Sequence, residues 1–356
     1  MGFVNPSSLC PVYEIGQRSR RRRGRYSKVQ NMESFWDRLE KPFFVLAPMA
    51  DVTDAAYRKL IAEHALPDVM WTEFVSADGL YHTREKKGMK DEENPLMRDL
   101  LFTPREHPIV AQLFTSNPEA MAYAANLCKE LGFDGIDINM GCPDKAIERQ
   151  GCGSAMIKSP ETAKAIITAA KSAGLPVSVK TRIGYNAVTL DEWLPALLEE
   201  DLAALTVHLR TRKEMSKVPA HWDLMPQAVA LRDRVAPSTR IIGNGDVMSL
   251  ADAKQKAEES GADGIMLGRA IFGNPWLFTG RRFEEVTPSE RIDALLKLNE
   301  YFSELTPPKH FHILKKHVKA FIGGWDGASD IRASLMDAHT AEEFSQKLQE
   351  AKELIG

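Results

Sequence analysis

IDINMGCPDKAIERQGCG, residues 136–153, begins as a buried strand and ends as a glycine-rich loop. Ile136 to Asn139 form the short run, Gly141 permits a tight backbone, and Pro143 stops the strand because it has no N–H to give to a ladder. Cys142 then stands at the strand's carboxyl edge. Runs of the same kind recur on both sides: FFVLA (43–47), VMWTE (69–73), IVAQLF (109–114), GIDIN (135–139), VSVKT (177–181), ALTVH (204–208), RIIGN (240–244) and GIMLG (264–268). Most end in a polar residue or glycine, as parallel strands buried on both faces do. Amphipathic stretches separate them, such as Thr53–His64, Pro118–Leu131 and Pro160–Ala173. The last two open on proline, which suits a first helical turn. Eight such strands with helices between them predict an α/β fold, a (β/α)8 TIM barrel, over residues 32–286.

The flanks differ. Residues 1–31 carry the acid-free block RSRRRRGRYSK at 18–28 and read as a disordered basic extension ahead of Met32. An RNA-binding arm or a transit peptide are the other readings of such a block. The polar stretch 79–108 reads as an irregular excursion after the second strand. Beyond Thr287 the pattern turns helical, with helices expected over 288–305, 308–322 and 340–355, so residues 287–356 are expected to form a small helical domain. On its middle helix Phe311, Leu314, Val318, Phe321 and Ile322 share one face, and Lys309, His312, Lys316 and Lys319 lie roughly opposite. That second face is either an ordinary solvated one or a phosphate-contacting one, since no acid interrupts 309–319.

Composition excludes several classes. No apolar run approaches the roughly 20 residues that span a bilayer, so a membrane protein is not expected. Four scattered cysteines without C-x-x-C spacing make neither a disulfide framework nor a metal site, and a reducing cytoplasm fits best. Cys128 and Cys152 read as structural. The net charge of −3 leaves nucleic-acid contact to local patches. No obligate protein partner is evident.

In a TIM barrel the chemistry sits at the carboxyl ends of the strands. Those ends carry Pro48-Met49-Ala50, Glu73, Gln112, Asn139 with Cys142, Lys180 with Arg182, His208 with Arg210, Asn244-Gly245-Asp246, and Gly268-Arg269. A polar group or glycine at every end is more than stability requires. Barrels commonly hold phosphate with the loops after strands 7 and 8. IGNGDV (242–247) and LGRAIFGNP (267–275) supply glycines for close approach, and Arg269 supplies a charged fork. Lys180 and Gln112, nearer the axis, could bond the polar edge of a planar cofactor. A lysine at a flavin pyrimidine would stabilise the anionic reduced ring.

With these residues assembled, the chain resembles the tRNA dihydrouridine synthases, FMN-dependent TIM-barrel enzymes, from about Phe43 to Phe278. The motifs are APMADVTDAAYR (47–58), DINMGCPDKAIERQGCGSAM (137–156), VKTRIG (179–184), TVHLRT (206–211), IGNGDV (242–247) and MLGRAIFGNPW (266–276), in the family's order and spacing. The resemblance implies that Pro48, Met49 and Ala50 line the flavin ring, that Gln112 and Lys180 bond its pyrimidine, and that Asn244, Gly245, Asp246, Gly268 and Arg269 hold its phosphate. It implies that Cys142 is the catalytic cysteine and that Asn139, Arg182 and His208 surround flavin and uracil. KHFHILKKH (309–317) looks like the basic helix the family presents to tRNA. The sequence departs from the family at Asp51 and Leu209, where glycine is usual, at KEMSKVPAHWD (213–223), and in the 79–108 insertion.

The implied reaction has two halves. NADPH, or NADH, reduces FMN; tRNA then replaces it, hydride passes to C6 of a uracil, and Cys142 protonates C5 from the other face. A thiol with a reference pKa near 8.5 is still protonated at neutral pH and can serve as the acid. Its position on a loop suggests closure over the substrate. The uridine must leave its stack to reach the barrel mouth. Two other readings share the motifs in part: a flavin reductase of a free pyrimidine, of the dihydroorotate or dihydropyrimidine dehydrogenase type, and a catalytically silent RNA-binding barrel.

Overall fold

The computed structural model of the chain describes residues 34–355. The expectation for the basic extension at 1–31 lies outside them. Among the described residues, nine parallel strands form the sheet: β1 (Phe43–Leu46), β2 (Met70–Trp71), β3 (Val75–Ser76), β4 (Ile109–Phe114), β5 (Gly135–Met140), β6 (Val177–Arg182), β7 (Ala204–His208), β8 (Arg240–Asn244) and β9 (Gly264–Leu267). Their order is β1-β9-β8-β7-β6-β5-β4-β2, with β3 paired to β4 off that path. A parallel bridge between Val45 and Val69 joins the two ends, so the eight-strand path closes into the expected barrel. Of the second expected strand, 69–73, only Met70–Trp71 is a strand, and the short β3 beyond it was not expected.

The pleat sorts the side chains. Along β4, Ile109, Ala111 and Leu113 pack outward in the layer shared with the helices, and so do Ile136, Ile138 and Met140 of β5. The alternate positions point into the barrel. At its lower end they are apolar, with Phe43, Trp71, Val110, Ala204 and Ile242 packed on Phe35 and Trp36 of a short turn of helix at Phe35–Arg38. Towards the strands' carboxyl ends the inward positions become polar. The register sets Asp137 beside Ser178, Asn139 beside Lys180, Arg182 beside His208, and His208 beside Asn244. An apolar floor under a polar mouth is what aims the chemistry at one end.

The 79–108 stretch is not irregular. It folds as short helical turns at Ala77–Leu80, Tyr81–Lys86, Asp91–Glu93, Pro95–Arg98 and Pro104–Glu106. Leu80, Met97, Leu100 and Phe102 bury themselves beneath it. The Arg58 guanidinium, fully enclosed, anchors it through Glu106 at 2.8 Å and the Leu101 carbonyl.

The carboxyl-terminal part opens at Thr287, whose side chain caps helix α1 (Pro288–Ser303) through a capping box with Glu290. Helices α2 (Ala328–Asp337) and α3 (Ala341–Ile355) complete it. Its core is continuous with the barrel's outer layer, joining Leu295 and Leu298 to Leu60 and Ile61 in one apolar cluster. Two expectations are corrected here. The segment expected as one helix over 308–322 is a 3₁₀ stretch, Phe311–His317, followed by a single α turn, Val318–Phe321, and the helix at Ala328–Asp337 was not foreseen. Leu314, Val318, Phe321 and Ile322 are buried as predicted, but 3₁₀ winding rotates the opposite face relative to an α-helical wheel. No helix among the described residues is long and apolar enough to cross a membrane.

Candidate active site

A cavity of about 260 Å³ opens at the carboxyl ends of the strands, and its wall holds Pro48, Met49, Lys180, His208, Asn244, Gly245, Asp246, Gly268 and Arg269. Nine of the residues expected at a cofactor therefore meet in one place. Ala50 and Gln112 do not line it. Ala47, Arg210, Ser216, Val247 and Met248 do without having been assigned to the cofactor, although Arg210 was already placed with His208 at a strand end. Arg210 had a signal: inward positions recur in steps of two, and it stands two beyond His208.

The cavity suits an anion. Lys180, Arg210 and Arg269 contribute three positive charges against the single carboxylate of Asp246. Asp246, at φ +52°, bridges Arg210 and Arg269 and also accepts the Ala220 N–H at 2.8 Å. Lys180 donates to neutral Asn244 Oδ1 at 3.1 Å, and Asn244 is itself oriented by donating to the Met266 carbonyl at 2.8 Å. Burial, helped by the charge of Arg182, pulls the Lys180 ammonium down to about 8. Burial and the cations Lys180, Arg182, Arg210 and Arg269 also hold His208 well below its usual value. His208 is thus a neutral imidazole, whose Nε2 accepts from Arg210 Nη1 at 3.2 Å.

Two glycines keep the wall open. Gly245 has φ +134°, and a Cβ there would come within 2.7 Å of the Ala220 methyl. A Cβ on Gly268 would stand 3.7 Å from both Ala47 and Met49, in the space those residues border. A cationic recess with glycine edges and a neutral histidine matches a phosphate-bearing planar group such as FMN, and the residues present fit it.

Cys142 lies beside this recess on a loop that is tied down. Asn139 Oδ1 accepts the N–H groups of Gly141 at 3.1 Å and Cys142 at 2.9 Å. The Cys142 carbonyl accepts both the N–H and the hydroxyl of Ser154, each at 2.9 Å. Gly153 makes that approach possible: with φ +59°, its added Cβ would lie 2.6 Å from the same carbonyl. Arg182 Nε donates to the Gly141 carbonyl at 2.7 Å while Nη1 reaches the carbonyls of Thr211 and Met215. These bonds tether the loop's backbone on both sides of Cys142. Burial pushes the half-buried thiol above its ordinary value, against the pull of Arg182 and Lys180. It is protonated at neutral pH.

Behind Asn139 runs a buried polar chain. Gln112 Oε1 accepts from Asn139 at 3.1 Å, Gln112 Nε2 donates to Asp137 at 2.6 Å, and Ser178 donates to the other Asp137 oxygen at 2.6 Å. Gln112 is fully buried. The structure thus gives Gln112, Asn139 and Arg182 an observed task in positioning the Cys142 loop.

The residues expected to meet RNA divide. His312, Lys316 and Lys319 are exposed on the carboxyl-terminal part, with Lys316 paired to Asp51 at 2.7 Å. Lys309 is a correction. Its side chain is 5% exposed, and its Nζ lies 3.0 Å from Glu73, 3.4 Å from Asp54 and 3.4 Å from Asp51. Three carboxylates have drawn it inward, and it offers nothing to a phosphate. Asp51, where glycine was the expected residue, takes φ +57°.

Known proteins agree with this picture. The family model described as Dihydrouridine synthase (Dus) matches residues 45–355. A Bacillus subtilis (strain 168) protein named "Probable tRNA-dihydrouridine synthase 2" is 43% identical over 317 residues, 87% of this chain and 94% of its own. A "Probable tRNA-dihydrouridine synthase" of Staphylococcus aureus (strain Mu50 / ATCC 700699) is 41% identical over 323 residues, 89% of this chain and 95% of its own. Among solved structures, a 2-naphthoyl-CoA reductase complex superposes with TM-score 0.51 at 10% identity, covering 69% of this chain and 50% of that one, a likeness of fold alone. A match spanning barrel and helices alike, on relatives covered almost end to end, places the chain in the dihydrouridine synthase family.

Proposed function

We propose that this protein is a tRNA-dihydrouridine synthase: it reduces the C5=C6 bond of uridines in tRNA, using FMN and NAD(P)H, in the cytoplasm. The observation that carries the reading is a protonated thiol on a braced loop beside a cationic recess. Pro48 and Met49 would run along the flavin, Lys180 would face its pyrimidine edge, and Asn244, Gly245, Asp246, Gly268 and Arg269 would hold its phosphate. Bound there, FMN supplies hydride obtained from the reduced nicotinamide, with NADPH the proposed donor.

The remaining work belongs to the chain. Cys142 gives its proton to C5 of the uracil, on the face away from the hydride. The thiolate left behind is favoured by the charges of Arg182 and Lys180, and it regains a proton from water. Asn139 and Arg182 hold the loop in place during this transfer. His312, Lys316 and Lys319 form an exposed basic edge that meets the phosphate backbone, and residues 287–356 act as the tRNA-binding part. That edge favours RNA over a free pyrimidine, for which it has no use.

The deciding experiment is to map dihydrouridine in tRNA from a deletion strain and from its complemented control. Loss of the modification at defined uridines and its return on complementation are expected. Unchanged tRNA, together with reduction of free uracil or dihydroorotate by the purified enzyme, would overturn the assignment.

A further inference from the structure

The seam between barrel and carboxyl-terminal part is polar where it meets the active site. The turn after β1 begins at Met49, which lines the cavity, and folds back on it: Val52 and Thr53 donate to the Met49 carbonyl at 3.1 and 3.0 Å, and Met49 donates to Thr53 Oγ1 at 2.9 Å. At the crest of this turn, the Asp51 N–H donates to Glu73 Oε1. The other Glu73 oxygen takes Lys309 Nζ at 3.0 Å. One carboxylate thus grips the cavity-side turn with one oxygen and the carboxyl-terminal part with the other.

The neighbouring contacts run the same way. Lys316 reaches Asp51 at 2.7 Å, and Arg98 of the 79–108 stretch donates to the carbonyls of Pro307 and Pro308, just before Lys309. Asp54, whose Oδ2 faces Lys309 at 3.4 Å, spends Oδ1 on capping the helix Ala55–His64. The exposed basic edge follows directly in sequence, with His312 three residues and Lys316 seven residues beyond Lys309. Where Lys309 is held, that edge is held relative to the cavity wall.

We propose that Glu73 and Lys309 are positioning residues for RNA reduction, a latch that sets the distance between the basic edge and the Cys142 site without touching RNA. The inference rests on the proposed function. RNA gripped at the edge delivers its uridine to a loop tethered by Asn139, Ser154 and Arg182, so a shift of the edge displaces the base. Misplacement by about 1 Å can cost on the order of 100-fold in rate.

The test uses the full-length flavin-loaded enzyme carrying Lys309→Met, with unmodified tRNA as the probe. Three quantities are read: tRNA affinity with its salt dependence, flavin reduction by NADPH, and single-turnover dihydrouridine formation. The expected result is a turnover rate down by roughly 10- to 100-fold, with affinity, salt slope and flavin reduction nearly unchanged, and recovery in Lys309→Arg. Unchanged turnover would overturn the inference. So would weaker tRNA binding with a shallower salt slope, because that marks a direct phosphate contact. If Lys309→Met does not fold, Glu73→Gln, which keeps an oxygen for the Asp51 N–H, is judged by the same readings. A wild-type enzyme that makes no dihydrouridine refutes the function itself, a different result from an active wild type matched by an equally active variant.

Discussion

Two lysines teach opposite lessons about what a recessed charge is for. Lys180 sits on the wall of the cavity among other cations, with Asn244 as its bonding partner, and burial drags its pKa down. Lys309 sits in the seam among Asp51, Asp54 and Glu73; burial opposes its charge there too, yet the carboxylates prevail and its pKa rises. Unmatched positive charge marks a place prepared for an anion. Matched charge marks a joint. The cavity should therefore answer to substitutions through flavin and chemistry, and the seam through stability and RNA delivery.

The sharpest way to break this division is Cys142→Ala. It should lower dihydrouridine formation by roughly 10²- to 10⁴-fold, the range for losing a general acid, while the purified protein stays yellow and melts normally. Loss of flavin from that variant would show that the loop and the recess are one structure. At the seam, Lys309→Met leaves three acids facing one another, and denaturant unfolding should show about 3–5 kcal/mol less stability, the cost of breaking a buried ion pair from one side. A change below about 1 kcal/mol would reclassify the cluster as an ordinary surface pair.

Lys180→Met tests the other lysine. Losing a charged hydrogen bond of about 1.5–3 kcal/mol should weaken FMN binding roughly 10- to 100-fold by titration of the flavin-free protein. The sign with pH follows from the lowered value. Lys180 loses its proton near pH 8 in the flavin-free fold, against 10.5 ordinarily. Its charged form is thus a cost to the empty protein that is fully present below pH 8 and relieved as pH rises towards 10.5. An anion that needs the ammonium should bind progressively less tightly as pH climbs past 8, and Lys180→Met should flatten that dependence. The smallest effect is expected from Lys319→Ala at the basic edge, a few-fold loss of tRNA affinity with the salt slope shallower by about 1. Failure of that slope to change would remove Lys319 from the RNA contact.

The same contrast explains what was legible in the sequence. The strands Ala204–His208 and Arg240–Asn244 match their expected limits because short apolar runs closed by a polar or glycine residue leave few alternatives. Cavity residues were legible for a related reason: strand pairing turns positions at strand ends into neighbours, and nine of them now line one wall. Gln112 shows the limit of that logic. It points inward as expected, but its amide is consumed by Asp137 and Asn139, and no reading of residue types reveals which partner wins. Lys309 fails for a second reason. Its fate depends on acids more than 230 residues earlier, and a helical wheel carries only local periodicity. The 3₁₀ winding at Phe311–His317 compounds the error by changing the period itself.

The two bonds that Ser154 makes to the Cys142 carbonyl have a consequence for which uridines this enzyme reaches. With the acid's backbone tethered, the base has to come to it, and the work of opening falls on the RNA. Extruding a base costs a few kcal/mol, and least where stacking is already weak. Uridines in weakly stacked, unpaired stretches should therefore be reduced faster than uridines held in a stacked stem.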